Sequence, residues 1–203
     1  MLNNSSRRFA LVGSGIALSA LCAAVALAAT VDCAGGGPRC EGTNEPDTIY
    51  GSDNKDEIFA KGAPDNVYGF SADDISHGGG GDDLLSETSG GGKDTMFGDG
   101  GSDDMQSGLL GDELYGGDDG ELFMNGEEGS DLVAGQDGAD IMRGEEGDDT
   151  LLGGRGNDDI NAAVNESERG RDTVDCGKGS NDSATVNPND DVTRCDGNVT
   201  VEV

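Results

Sequence analysis

"GEEGSDLVAGQDGADIMRGEEGDDTLLGGRGNDDIN" occupies residues 126–161 and repeats one skeleton every nine residues. Gly126, Gly135, Gly144 and Gly153 open the units, and Gly129, Gly138, Gly147 and Gly156 follow three residues later. Asp131, Asp140, Asp149 and Asp158 stand at the sixth position, and Val133, Met142, Leu151 and Ile160 at the eighth. A short fixed period with one apolar residue per unit means stacking, because each unit buries that residue only against its neighbours. Nine residues are too few for a helix–turn–helix, and each glycine would cost a helix roughly 1 kcal/mol. Positions seven to nine make a short strand whose centre faces inward. Positions one to six must then turn the chain, with glycines supplying positive φ. Two units complete one coil, with one strand in each of two parallel sheets. The expected fold is therefore all-β: a parallel β-roll, or β-solenoid, of nine-residue repeats.

The period extends well beyond this stretch. Counting back in nines gives starts at Gly117 and Gly108, one inserted residue at Ser107, and starts at Gly98 and Ser89. Glu87 and Thr88 are then inserted, and units start at Gly78 (with Gly81 as its second glycine), Gly69, Ala60, Gly51 and Gly42. In this frame the sixth position holds Asp47, Asp56, Asp65, Asp74, Asp83, Asp94, Asp103, Glu113 and Leu122 ahead of the four quoted aspartates. The eighth position is apolar throughout, with Tyr115 and Met124 among its residues, except at Ser76, where Ile75 is the candidate replacement. The unit at Gly117 lacks its acid. The first four units carry Glu45, Asn54, Ala63 and Ala72 in place of the second glycine, so they keep the period and are expected to differ in the turn.

The flanks have their own signals. Arg7 and Arg8 precede an uncharged, mostly apolar stretch from Phe9 to Ala29, and Ala26-Leu27-Ala28 offers small residues for cleavage. Residues 1–28 read as a secretory signal peptide, for general or twin-arginine export, and a retained anchor is the alternative. Cys22 lies in that segment. Cys33, Cys40, Cys176 and Cys195 remain, an even number suited to an oxidising compartment. Four cysteines allow three pairings. Proximity in sequence favours Cys33–Cys40 in an N-terminal clip over 29–41 and Cys176–Cys195 in a C-terminal cap over 162–203. A zinc site is disfavoured because there is no CxxC and His77, read as a turn residue, is the sole histidine.

Charge points to small cations. The formal net charge is −30, and loss of Arg7 and Arg8 with the leader takes it to −32. Such a chain repels nucleic acid and anionic membranes. By charge and hydropathy alone it reads as disordered in water. Stacking the coils would pile the sixth-position acids into two columns, one per edge. Like charges about 5 Å apart cost on the order of 3 kcal/mol per pair at an effective dielectric near 20. With 12 Lys and Arg against 42 acids, side chains cannot neutralise them. A hard divalent cation with oxygen ligands can, and calcium suits glycine-rich turns better than magnesium because it accepts six to eight oxygens, backbone carbonyls included.

"GGGGDDLLS" at 78–86, "SGGGKDTMF" at 89–97 and "GGRGNDDIN" at 153–161 resemble the G-G-x-G-x-D-x-U-x nonapeptide of RTX, or haemolysin-type, calcium-binding repeats. The resemblance covers Gly42 to Asn161. It implies a parallel β-roll with several Ca2+ ions held between neighbouring turns by backbone carbonyls and sixth-position acids. The ligands it implies are Asp83, Asp94, Asp103, Asp131, Asp140, Asp149 and Asp158, with Asp47, Asp56, Asp65, Asp74 and Glu113 as weaker matches. The segment 170–197 is similar to cysteine-bearing terminal rungs of secreted β-roll proteins.

The expected function is a secreted, extracellular calcium-binding structural module that folds on external calcium. A β-roll adhesion module for a protein or glycan partner and an accessory protein to a hydrolase are the alternatives. No Ser/His/Asp or Cys/His set can be assembled, and the periodic carboxylates are explained as ligands, so no enzyme is expected. Gly90-Gly91-Gly92-Lys93 lacks the strand–loop–helix context of a phosphate loop. No pore-forming region lies outside the leader. The chain is expected to be a monomer without membrane insertion after cleavage.

Overall fold

The computed structural model describes residues 28–33, 39–87, 91–163 and 170–202. The proposed leader lies almost entirely outside these residues. Among the described residues, nineteen short strands form two parallel sheets, ten strands in the first and nine in the second. Successive strands alternate between the sheets, so two units close one coil, as the nine-residue period requires. The first sheet opens with Ala29–Asp32 and ends with Val199–Val201; the second opens with Arg39–Glu41 and ends with Asp191–Thr193. Among the described residues no helix joins the strands; between Phe123–Glu128 and Leu132–Asp137, for example, three residues carry the chain across.

The core is one residue wide. In the first sheet Ile49 pairs in register with Val67, Met124 with Met142, and Met142 with Ile160. In the second, Leu114 is flanked by Met96 and Val133. All of these are fully buried. Each apolar side chain therefore packs mainly on the coil above, the coil below and the facing sheet, which is why no single unit could fold alone. Ser76 keeps its place in the core and Ile75 points outward, so the polar residue is not replaced. Its hydroxyl instead donates to the buried Glu87 at 2.9 Å.

The disulfide-clipped ends are present as Cys33–Cys40 and Cys176–Cys195, with Cα atoms 5.7 and 4.9 Å apart. These ends are themselves coils. Cys40 stands in register with Ile58, and Cys176 is fully buried in the core. The sheets run on beyond Asn161 through Val174 and Ala184, so the segment after the array continues the roll as it closes it.

Two expectations about the turns need correction. Positive φ falls at the second and fourth positions, not the first: Gln136 (75°) with Gly138 (139°), and Glu145 (68°) with Gly147 (151°). The turns at Ala63 and Ala72 keep this geometry without glycine, with φ of 76° and 80°. L-residues adopt that conformation at about 1–2 kcal/mol each. His77 is not in a turn either; it lies within the strand Ile75–Gly80.

The fourth-position glycines are required by close approach of the coils as well. A Cβ on Gly156 would lie 1.3 Å from the carbonyl oxygen of Gly138. Gly156→Ala should lower the unfolding free energy by more than about 2 kcal/mol. Gly91→Ala, where a Cβ would meet nothing within 4 Å, should stay within about 0.5 kcal/mol of the parent. Thermal unfolding of both variants with calcium present checks this, and equal effects would contradict it.

Candidate metal centre

The sixth-position acids are buried in two continuous ladders. On the edge where the chain enters the second sheet, the backbone N–H of Asp112 donates to Asp131 Oδ1 at 2.8 Å, that of Asp131 to Asp149 Oδ1 at 2.9 Å, and that of Asp149 to Asp172 Oδ1 at 2.8 Å. On the opposite edge the N–H of Asp103 donates to Glu121 Oε2 at 2.9 Å, that of Glu121 to Asp140 Oδ1 at 3.0 Å, and that of Asp140 to Asp158 Oδ1 at 3.1 Å. The same bond links Asp47, Asp65, Asp83 and Asp103 on that edge, and Asp56, Asp74, Asp94 and Asp112 on the other. Each acid thus reaches one coil back and caps the strand entry of its predecessor. Asp172 and Asp182, beyond the expected array, extend the two ladders.

Two site residues differ from the sequence reading. Glu113 is not in a ladder: it is exposed on the outer face and accepts a hydrogen bond from the Tyr115 hydroxyl at 2.9 Å. Leu122 does not break a site: it is 62% exposed, and the buried Glu121 beside it fills the ladder. The inserted residue is Leu122 itself. Its N–H and that of Phe123 both approach the carbonyl of Asp103, at 3.1 and 3.3 Å, which is a bulge absorbing one extra residue. Ser107 instead occupies a regular first position, buried, with its hydroxyl donating to Gly126 O at 2.6 Å. Asp112 and Leu114 therefore belong to its unit, and Tyr115 lies on the outside.

The first ladder oxygen is satisfied by backbone; the second is the chemical problem. Oδ2 of Asp65, Asp74, Asp83, Asp103, Asp112, Asp131, Asp140, Asp149 and Asp158, and Oε1 of Glu121, are buried without a hydrogen-bond partner. Most of the opening glycines make room for one of them. A Cβ on Gly78, Gly126, Gly135, Gly144 or Gly153 would lie 2.1–2.5 Å from Oδ2 of the acid five residues on. The role of the first glycine is thus space for a carboxylate rather than backbone freedom. Asp47 and Asp56 differ: Oδ2 of Asp47 accepts from Thr43 N (2.6 Å) and Oγ1 (3.0 Å), and that of Asp56 from Ser52 N (2.7 Å) and Oγ (2.8 Å).

Orphaned, buried, anionic oxygens fit a hard cation. Among the described residues no ion pair reaches a ladder acid; those present are between outer-face groups such as Arg155 and Asp137. No three acidic, histidine or cysteine side chains converge on one point among the described residues. Remaining ligands would have to be carbonyls, and the first-position turns supply them beside the orphaned oxygens. Asp131 Oδ2 and Gly144 O lie 2.5 and 2.9 Å from the one point where Gly126 would carry a Cβ; Asp140 Oδ2 and Gly153 O lie 2.1 and 2.7 Å from the equivalent point at Gly135. Carbonyl plus carboxylate is the donor set calcium prefers.

Burial without a counter-ion also shifts protonation. Desolvation raises Asp74, Asp83 and Asp131 from an ordinary 3.8 to about 7, Asp103, Asp140 and Asp149 to about 6, and Glu121 from 4.5 to about 8. The backbone hydrogen bond to each opposes this shift and is the smaller effect.

Stacked coils of two nine-residue units, with a buried acid ladder along each edge, define a parallel β-solenoid repeat protein. The RTX calcium-binding nonapeptide repeat model matches four copies, at residues 41–63, 50–85, 88–109 and 125–160, together just over half of the chain. The chain belongs to that family of calcium-binding repeats. The gap in the matches between 109 and 125 contains the Leu122 bulge. A search of curated proteins found no match.

The raised acids set a sign for pH. Because the folded state holds protons more tightly than the unfolded chain, metal-free stability is greatest below about pH 4 and is lost as pH rises through 6 to 8. In a chelator, β-sheet circular dichroism should be stronger at pH 5 than at pH 8, and calcium should restore it at pH 8. A metal-free signal that grows with pH would contradict this.

Proposed function

We propose that this protein is an extracellular structural module whose roll assembles when it meets calcium outside the cell. The observation that carries this reading is the double row of buried carboxylate oxygens without a protein partner. At neutral pH these groups cannot all stay ionised in a dry turn, so the metal-free chain expands under its own charge of −30. Calcium at millimolar external levels matches the weak affinities of extracellular modules, about 10⁻⁴–10⁻³ M. The expected leader and the two disulfides support export into an oxidising space. Asp83, Asp94, Asp103, Asp131, Asp140, Asp149 and Asp158 are the proposed ligands, joined by Asp65, Asp74, Asp112 and Glu121. Asp47 and Asp56, satisfied by Thr43 and Ser52, are proposed to need no metal.

A structural rather than catalytic role is supported by the use of the polar side chains. The ladder acids cap strand entries, and His77 is held between Phe59 and Phe97 on the outer face. We take the folded protein to act as a monomer, and among the described residues no helix is long and apolar enough to cross a membrane.

A calcium titration of two variants, followed by circular dichroism, tests the reading. Asp149→Asn should move the folding midpoint to at least about threefold higher calcium, since its Oδ2 has no other partner. Asp56→Asn should leave the midpoint within about 1.5-fold while lowering overall stability by about 1 kcal/mol. Equal midpoints for Asp149→Asn and the parent, or a parent already fully folded in chelator at pH 8, would refute it.

A further inference from the structure

The outer face of the second sheet carries a feature that the acid ladders do not use. Phe59, His77, Phe97 and Tyr115 occupy the ninth position of four successive strands. Their rings stack with centroids 4.8, 4.6 and 5.1 Å apart and planes within 11° of parallel. Stacked in this way the rings cover one another's faces and turn their edges outward. Beside Phe97 and Tyr115 lies a groove of about 440 Å³ whose lining also includes Gly100, Gly116, Asp99, Asp118 and Gln136. No Lys or Arg is among its lining residues. Asp99 is positioned by His77 Nδ1, 3.2 Å from its Oδ2.

We propose that this groove docks an arginine side chain presented by a partner polypeptide. The chain itself builds the same combination twice. Arg39 lies 4.4 Å over the Phe59 ring and pairs with Glu41 at 2.9 Å. Arg143 lies 5.1 Å from the Phe123 ring and pairs with Glu145 at 3.7 Å. In each case a ring carries the arginine and an acid two residues along the chain holds its head. In the groove the rings and acids recur, and the basic residue is the part to be supplied from outside. Tyr115 ends the stack, with Ala134 rather than a ring in register on its far side, so it offers a face as Phe59 does to Arg39 at the other end, and the carboxylates take the guanidinium. Charge selects the partner: a net −30 repels anionic polymers, and a second copy would bring its own acidic turns against these. A neutral sugar could use the open Tyr115 face but would leave Asp99 and Asp118 without a cation.

The test uses the calcium-saturated full chain, with folding verified by circular dichroism. Three probes are compared: a short labelled peptide bearing three arginines separated by leucine and glycine, the same peptide with citrulline for arginine, and spermine. The arginine peptide should bind at least tenfold more tightly than the citrulline peptide. Tyr115→Leu combined with Asp118→Asn should weaken the arginine peptide at least fivefold, leave spermine unchanged and leave the spectrum unchanged. Undiminished peptide binding by that variant overturns the proposal. Spermine weakened as much as the peptide would mean a general cation site and overturns it too. So would self-association of the parent that the double substitution abolishes, since the arginine would then come from a second copy.

Discussion

Most turns of this protein bury a carboxylate that the polypeptide can only half satisfy. One oxygen caps the strand entry of the preceding coil; the other finds no donor and, in the units that open with Gly78, Gly126, Gly135, Gly144 and Gly153, faces the space left by that glycine. A buried ionised group of this kind is tolerable only when protonated or paired. That single constraint explains the features around it. The first glycine, where a unit has one, leaves room for the carboxylate and a neighbouring carbonyl, the fourth lets successive coils approach closely, and the scarcity of Lys and Arg leaves the pairing to a cation. The apolar core, one residue wide, is too thin to outweigh many uncompensated charges, which is why we propose that fold and metal are coupled.

The exceptions follow the same logic. In the first two turns a Thr43 or Ser52 hydroxyl and its own backbone N–H occupy the second oxygen, which makes these coils self-sufficient. Cys33–Cys40 and the contacts of Arg39 with Phe59 and Glu41 brace the same end. The roll thus has one end whose acids are satisfied by ordinary hydrogen bonds and a long middle whose acids are left for the proposed ions. Glu87 is a further exception: it stands where a first-position glycine would be, fully buried, and desolvation raises it to about 8. Its bond to Ser76 gives the one polar eighth-position residue a partner inside the core.

Most of this was legible in the sequence because the period is strict. The strand centres, the two units per coil, the alternation of sheets and the pairing of Asp131 with Asp149 along one edge all come from the spacing alone. The frame was misread between Ser107 and Leu122, where two alternatives fit the glycines. Counting forward from Gly98 gives Asp112, Leu114 and Glu121, which keeps an acid at every sixth position. Counting back from Gly126 gives Glu113, Tyr115 and Leu122, which does not. The acid was the better guide, since glycine here serves space and φ at three positions and recurs in either frame. The hydroxyl caps of Asp47 and Asp56 were visible only as Thr43 and Ser52, whose role depends on a side-chain geometry that spacing does not give. The aromatic stack follows from ninth-position residues that look unremarkable one unit at a time and become neighbours only after two-unit coiling.

The most direct test of the account is diffraction from calcium-grown crystals at a wavelength where calcium scatters anomalously. Two rows of peaks are expected, one along each edge, beside the second oxygens of Asp131 and Asp149 and of Asp140 and Asp158, with none beside Asp47 or Asp56. Peaks confined to outer-face acids such as Asp82 or Asp148, with the ladder oxygens left dry, would contradict it.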